Sequence, residues 1–349
     1  MKLAVFSAKS YDRAYLDEVL STRFPDLCTI EYHAFALSEE TVPLARSCDA
    51  VCVFVNDTLD EPVLRALHAG GVRAILLRCA GFNHVHLTTA ESLGLFVANV
   101  PAYSPEAVAE FAVTLVQTLN RKTHRAYNRV REGNFNIEGL LGTTLCGKTV
   151  GIVGVGRIGL AAAKIFQGFG CRILAHDPYA GPEFSSQNLC TLVELDTLLQ
   201  ESHVVSLHCP LTEGTRRLID ETTLARMKPG AMLVNTSRGG LIDTAAVIEA
   251  LKSHHLGGVA LDVYEAEGEL FYNDHSGEII DDDVLMRLMT FPNVLICGHQ
   301  GFFTREALTE IAGVTLSNLA DFTAGRSCAN SLVTEGHVLV RRDTDPVRL

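Results

Sequence analysis

Residues 149–159 read TVGIVGVGRIG, an apolar run that turns through Gly154 and Gly156 and passes Gly159 into LAAAKIFQGFG. Glycines so placed permit a tight turn and let the N–H groups of a helix N-terminus approach a pyrophosphate, which predicts strand, turn and helix in that order. Alone, the spacing is weak evidence. Its context is stronger, because the next apolar run, RILAH, ends in Asp177, 18 positions past Gly159. A carboxylate there accepts hydrogen bonds from adenosine ribose hydroxyls and repels a 2′-phosphate, which predicts NAD rather than NADP. The competing explanation is that the glycines serve close helix–sheet packing and Asp177 caps a strand end.

Short apolar runs alternate with amphipathic ones along most of the chain, the pattern of parallel sheets with helical crossovers. Strands are expected at 2–6, 28–34, 50–55, 73–77 and 95–99, with helices near 11–22, 38–46, 61–69 and 86–93. Ser104, Pro105 and Glu106 then suit the cap and first turn of a long helix running to about residue 123. A second series has six strands, at 149–153, 172–176, 204–208, 232–236, 258–262 and 294–297. A final helix near 304–324 precedes a charged, loose tail, RRDTDPVRL. The fold class is α/β, with two doubly wound parallel-sheet domains. A Rossmann NAD-binding domain, 102–299, is inserted in a flavodoxin-like substrate domain made of 1–101 and 300–349.

A chain of 349 residues exceeds what one core usually serves, consistent with two domains. The formal charge of −12 argues against nucleic-acid or anionic-membrane partners, so an anionic substrate must be held by local positive charge. The ten cysteines include no CxxC pair and mostly sit in apolar runs. Reduced, buried thiols of a cytoplasmic protein explain them, and no zinc or other metal site is expected. The start, MKLAVFS, is too short an apolar run for a secretory segment or membrane span.

Three later strands end in the residue types that a keto-acid reductase needs. MLVNTSRG delivers Arg238, VALDVYEAE delivers Glu267 and VLICGHQ delivers His299. Singly, each has a plain structural explanation: a surface charge, a loop acid and a strand-end cap. Together they form a constellation at the carboxyl ends of strands, where doubly wound sheets bind ligands. Reducing a 2-keto acid takes a hydride, a proton for the developing alkoxide and a cation for the carboxylate. His299 can supply the proton, with Glu267 favouring the imidazolium and fixing the ring, and Arg238 can grip the carboxylate. Oxidation needs the neutral imidazole, so it is expected to have the higher pH optimum.

Arg238, Glu267 and His299 occur in the order found in the D-isomer-specific 2-hydroxyacid dehydrogenases, which this chain resembles. Within that family it is most similar to the fermentative D-lactate dehydrogenases of bacteria, through MKLAVFSAKSYDRAYL, AVCVFVND, LRCAGFNHVHL, VPAYSPEAVAE, VSLHCPLT, VNTSRGGLIDT, LDVYE and CGHQGFFTREALT. The resemblance covers nearly the whole chain and implies exchange of pyruvate and D-lactate with NAD. It implies that Cys79, Ala80 and Gly81 meet the substrate carboxylate with Arg238, and that Tyr103 lines the pocket, although packing explains Tyr103 nearly as well. Phe302 and Phe303 are expected to favour a methyl side chain, unless they are ordinary core aromatics.

Around the cofactor the resemblance implies Arg157 and Ile158 after the glycine turn, Cys209 and Pro210 beside adenosine, and Thr215 at phosphate or ribose. Thr236 and Asp262 match positions that face the nicotinamide and its carboxamide, and Ser237 and Arg238 are implied as further cofactor contacts. Where close relatives often read AEHA this chain reads AEFA, so Phe111 removes any polar role at that position. EGELFYNDHSGEIIDDDVLMRL is expected as a surface insertion, with Asp281 to Asp283 starting a solvated helix rather than binding a metal. A homodimer or homotetramer is implied. A D-2-hydroxyisocaproate dehydrogenase or a glyoxylate/hydroxypyruvate reductase would share these residues and differ in pocket size. A catalytically silent NAD-sensing regulator would need decay of a triad that is present here.

Overall fold

The computed structural model describes residues 1–180, 189–268, 270–334 and 337–338. The tail RRDTDPVRL lies outside the described residues. Two compact units result, one of Met1–Ser104 with the described residues from Phe303 on, the other Pro105–Phe302. The breaks fall three residues after the expected ones. Pro105 itself opens a helix, and Gln300 and Gly301 are hydrogen-bonded to Asp262 of the second unit.

In the first unit β1 (Lys2–Val5), α1 (Ser10–Arg23), β2 (Thr29–Tyr32), β3 (Ala50–Val53), α2 (Glu61–Ala69), β4 (Ala74–Leu77), α3 (Leu87–Ser92) and β5 (Phe96–Ala98) follow one another. The strands form a parallel sheet of order β2-β1-β3-β4-β5, the flavodoxin-like arrangement. AVCV and AILL are apolar throughout because both faces of this sheet are covered. Val51, Val53, Ile75 and Leu77 point to a core shared with Val63, Leu64 and Leu67 of α2. Ala50, Cys52, Ala74 and Leu76 point the other way, to Leu16 and Val19 of α1 and to Leu316 and Leu319. The expected helix at 38–46 is only a 3-10 turn, Val42–Ala45. There the Thr41 hydroxyl donates to the Ala36 carbonyl and accepts the Ser38 N–H, local bonds that compete with a helix.

The second unit runs α4 (Pro105–Arg121), α5 (Thr123–Arg131), β6 (Thr149–Val153), α6 (Arg157–Gly168), β7 (Arg172–His176), β8 (Thr191–Leu192), α7 (Leu195–Glu201), β9 (Val204–Leu207), α8 (Glu221–Arg226), β10 (Met232–Asn235), α9 (Thr244–Lys252), β11 (Gly258–Leu261), α10 (Asp283–Met289) and β12 (Val294–Ile296). Lys122, at a left-handed φ of 51°, ends the long helix and sets α5 apart, a break the apolar pattern does not signal. The sheet has seven strands rather than six, in the order β12-β11-β10-β9-β6-β7-β8. The extra strand, β8, is two residues long, too short to carry a periodicity. This is the Rossmann order with one strand added beyond β11. Back in the first unit, α11 (Arg305–Thr323), capped by Thr304, packs on α1 and β4. β13 (Val333–Thr334) and β14 (His337–Val338) form an antiparallel pair.

Candidate active site

Parallel pairing sets Asn235 of β10 beside Leu261 of β11, and Leu261 beside Ile296 of β12. Arg238 and His299 each lie three residues past their strand ends (238 − 235, 299 − 296) and Glu267 six past its own (267 − 261), so topology delivers all three loops to one edge. Gly239 tightens the arrangement. A side chain there would meet the Tyr264 carbonyl carbon at 2.1 Å, so the backbone after Arg238 lies against the loop that carries Glu267.

Nδ1 of His299 is 2.8 Å from Oε1 of Glu267, and the other carboxylate oxygen accepts the Tyr264 N–H at 2.8 Å. The carboxylate makes Nδ1 the protonated nitrogen and fixes the ring plane. Nε2 makes no hydrogen bond among the described residues, and the imidazole side chain keeps 20% of its exposure, so this nitrogen is the one that can exchange a proton with a ligand. His299 is also strained, with φ of 53°, a region that costs roughly 1–3 kcal/mol unless the surroundings enforce it. Enforcement comes from Asp262. Its backbone carbonyl accepts the His299 N–H at 2.8 Å, and its buried carboxylate accepts Gln300 N–H at 2.8 Å and Gly301 N–H at 2.7 Å. Burial holds this carboxyl above the usual range, against the opposing pull of those two bonds. Expected at the nicotinamide, Asp262 thus clamps the loop carrying His299, a role that strand-end reasoning does not reveal.

The Arg238 Nη1 group donates to the Ser237 carbonyl at 2.8 Å, and the Arg238 carbonyl accepts Asn235 Nδ2 at 2.8 Å. The rest of its fork makes no hydrogen bond among the described residues and can accept a carboxylate. Phe111 lies against Gly301, where an added Cβ would be 3.4 Å from its ring, so it packs the His299 loop and offers no polar group. Phe302 is buried in this unit. The insertion between Glu267 and β12 is mostly exposed, as expected, but Tyr272 turns inward and contacts His299. Asp282 is not merely solvated. It caps α10 through the Leu285 N–H and accepts the Tyr264 hydroxyl at 2.9 Å. No cluster of three or more metal-ligating groups occurs among the described residues.

At the glycine turn, Gly154 has φ of 93°, and a Cβ on it would strike Cys209 N at 2.6 Å. A Cβ on Gly159 would lie 2.0 Å from the Gly154 carbonyl oxygen. Both glycines are obligatory, and α6 starts at Arg157 and Ile158 with its N-terminus open, capped only by Gly156. Asp177 accepts the Val155 N–H at 3.0 Å and the Tyr179 N–H at 2.9 Å. It therefore shapes the turn while each oxygen keeps a lone pair for a ribose hydroxyl. Ser237 Oγ donates to the buried Cys209 carbonyl at 2.6 Å, tying the β9 and β10 loops together. The Thr215 hydroxyl donates to the Pro210 carbonyl at 2.7 Å, which builds a turn and leaves no proton for a phosphate. Thr236 Oγ1 is buried with no partner among the described residues. An orphaned buried hydroxyl at Thr236, just past β10, and a glycine turn opening α6 both fit a dinucleotide.

The substrate candidates Cys79, Ala80, Gly81 and Tyr103 belong to the first unit. The Cys79 and Ala80 carbonyls accept Val100 N–H at 3.1 Å and Asn99 Nδ2 at 2.8 Å, so the turn after β4 is held rigidly. Beneath it Arg78, 2% exposed, pairs with Asp12 at 3.0 Å. Tyr103 is half-buried. Phe303, 49% exposed, meets Tyr11 edge to face, with ring centroids 4.8 Å apart.

The family model of the D-isomer specific 2-hydroxyacid dehydrogenase NAD binding domain matches residues 113–301. The chain is 72% identical over 349 residues, all of both chains, to 2-hydroxyacid dehydrogenase A of Aspergillus oryzae. It is 60% identical to the D-lactate dehydrogenase kk1H of Curvularia clavata, again over the whole of both. The apo-structure of D-lactate dehydrogenase from Escherichia coli superposes with a TM-score of 0.87 at 49% identity, covering 95% of this chain and 100% of that one. With its glycine cradle, its acid–imidazole pair and these relatives, the chain belongs to the NAD-binding D-isomer-specific 2-hydroxyacid dehydrogenases.

Proposed function

We propose that this oxidoreductase reduces pyruvate to D-lactate. The observation that carries the reading is the His299–Glu267 pair, with Nδ1 held at 2.8 Å and Nε2 open. Bound NADH supplies the hydride. Gly154, Gly156 and Gly159 with the start of α6 would hold its pyrophosphate, Asp177 its adenosine ribose, and Thr236 its nicotinamide side. Arg238 binds the substrate carboxylate through its open N–H groups. Protonated His299 gives its Nε2 proton to the oxygen that was the keto group, and Glu267 then faces a neutral ring whose orientation it still fixes. In the reverse direction neutral His299 takes the proton from D-lactate, so oxidation has the higher pH optimum.

A small side chain is supported by the 60% identity to the D-lactate dehydrogenase kk1H. Free thiols, half of them buried, support a reducing, cytoplasmic setting, and no helix among the described residues is long and apolar enough to cross a membrane. Exposed Phe135, Ile137 and Leu141 support a homo-oligomer. A panel of pyruvate, phenylpyruvate, 2-ketoisocaproate, glyoxylate and hydroxypyruvate with NADH tests the reading. Pyruvate should have the highest kcat/KM, and a larger acid in first place would refute the substrate assignment.

A further inference from the structure

We infer that Tyr272, carried by the polar insertion after Glu267, is a positioning residue that holds the His299 imidazole for proton transfer; this rests on the acid–base role given to His299 above. The Tyr272 hydroxyl donates to the His299 carbonyl at 3.3 Å, and the two rings lie 5.8 Å apart at 35°. The pairing is not incidental to the loop. Leu270 and Phe271 N–H groups both donate to the Glu267 carbonyl, at 3.1 and 2.8 Å. Glu267 therefore grips His299 twice, through its carboxylate at Nδ1 and through the turn on its own backbone that brings Tyr272 to the ring.

Both residues sit at left-handed backbone angles, φ of 68° for Tyr272 and 53° for His299. A bulky tyrosine rarely adopts that region, and histidine does so more readily but still at a cost, so both depend on their surroundings to stay there. The His299 N–H and the two N–H groups after it are fixed by Asp262, which makes no hydrogen bond to the His299 carbonyl or ring among the described residues. Tyr272 acts on those two groups. Without it the imidazole keeps, among the described residues, only the hydrogen bond to Glu267, about which it can swing and move Nε2 away from its target. Displacements of this kind cost up to roughly 100-fold in rate while leaving cofactor binding alone.

The test compares Tyr272→Phe, Tyr272→Leu and Tyr272→Ala with wild type and with His299→Ala. Expected is a kcat within about threefold of wild type for Phe, which keeps the ring and loses a long hydrogen bond, and a fall of about 10-fold or more for Leu and Ala. KM for NADH should stay unchanged in all three. The His299 ring-proton NMR signals, read without turnover, should shift in Leu and Ala and return toward wild type in Phe. Leu and Ala enzymes with wild-type kcat and unmoved His299 signals would overturn the inference, as would a kcat loss matched by an equal loss of NADH binding. If His299→Ala retained full activity while the Tyr272 variants still moved its signals, the catalytic reading would fail and the positioning contact would stand.

Discussion

Both units are doubly wound parallel sheets, and in each a basic side chain just past a strand end pairs with a carboxylate, from the first turn of α1 in the first unit and from a loop in the second, but the two pairs differ in solvent access. Arg78 and Asp12 in the first unit retain 2% and 9% side-chain exposure, whereas His299 and Glu267 in the second retain 20% and 23%. Asp57, also buried beside Arg78, accepts from Ser7 Oγ, Leu37 N and Phe54 N. That network is closed to ligands and holds the turn at Cys79 to Gly81. The His299 pair keeps one nitrogen open, and its loop is strained and clamped. Position at a strand's carboxyl end therefore nominates a residue, and burial decides whether it supports the turn or does the chemistry.

Several substitutions probe that division, beginning with the largest effect. His299→Ala should lower kcat for pyruvate reduction by about 10²–10⁴, with NADH affinity retained in a fluorescence titration. Arg78→Met strands buried carboxylates and should destabilise by about 3–5 kcal/mol in chemical denaturation. Glu267→Gln, in a partly exposed pair, should change stability by no more than about 1 kcal/mol while depressing kcat. Were the two stability costs equal, the contrast between the units would be lost. Arg238→Lys should raise KM for pyruvate by roughly 10-fold, since the bidentate grip is lost, with little change in the melting temperature.

A further test concerns acid stability, and it reaches both units. Burial lowers His84 in the first and His208 in the second from 6.5 to about 4. The unfolded chain then takes up protons before the folded one as pH falls. Their contribution is complete above pH 6.5 and is lost on the way down to about 4. Melting temperatures measured across that range should drop, and His84→Gln and His208→Gln should each flatten the slope. A slope unchanged in both variants would assign acid sensitivity to other groups.

The second unit was the more legible in sequence, because its informative residues are tied to regular elements. Gly154, Gly159 and Asp177 stand at fixed offsets from strands, and Arg238 and His299 each follow a short, largely apolar strand by three residues. What escaped depends on contacts between distant segments. Asp262 reads as one more strand-end acid until Gln300 and Gly301 are seen to donate to it. Tyr272 sits in a polar stretch without periodicity, where nothing in the local pattern says that one aromatic turns inward. Strand β8 and the break at Lys122 failed for a simpler reason: two residues, or one left-handed residue, carry no pattern to read.

If Arg238 holds the carboxylate of a small 2-keto acid and the Glu267-oriented His299 gives the proton to its keto oxygen, hydride from bound NADH reaches only one face of the carbonyl carbon. Chiral chromatography of the lactate formed from pyruvate and NADH tests it most directly. D-lactate alone is predicted, from wild type and, at a lower rate, from the His299→Ala residue of activity. L-lactate, a racemate, or no lactate at all would contradict the account.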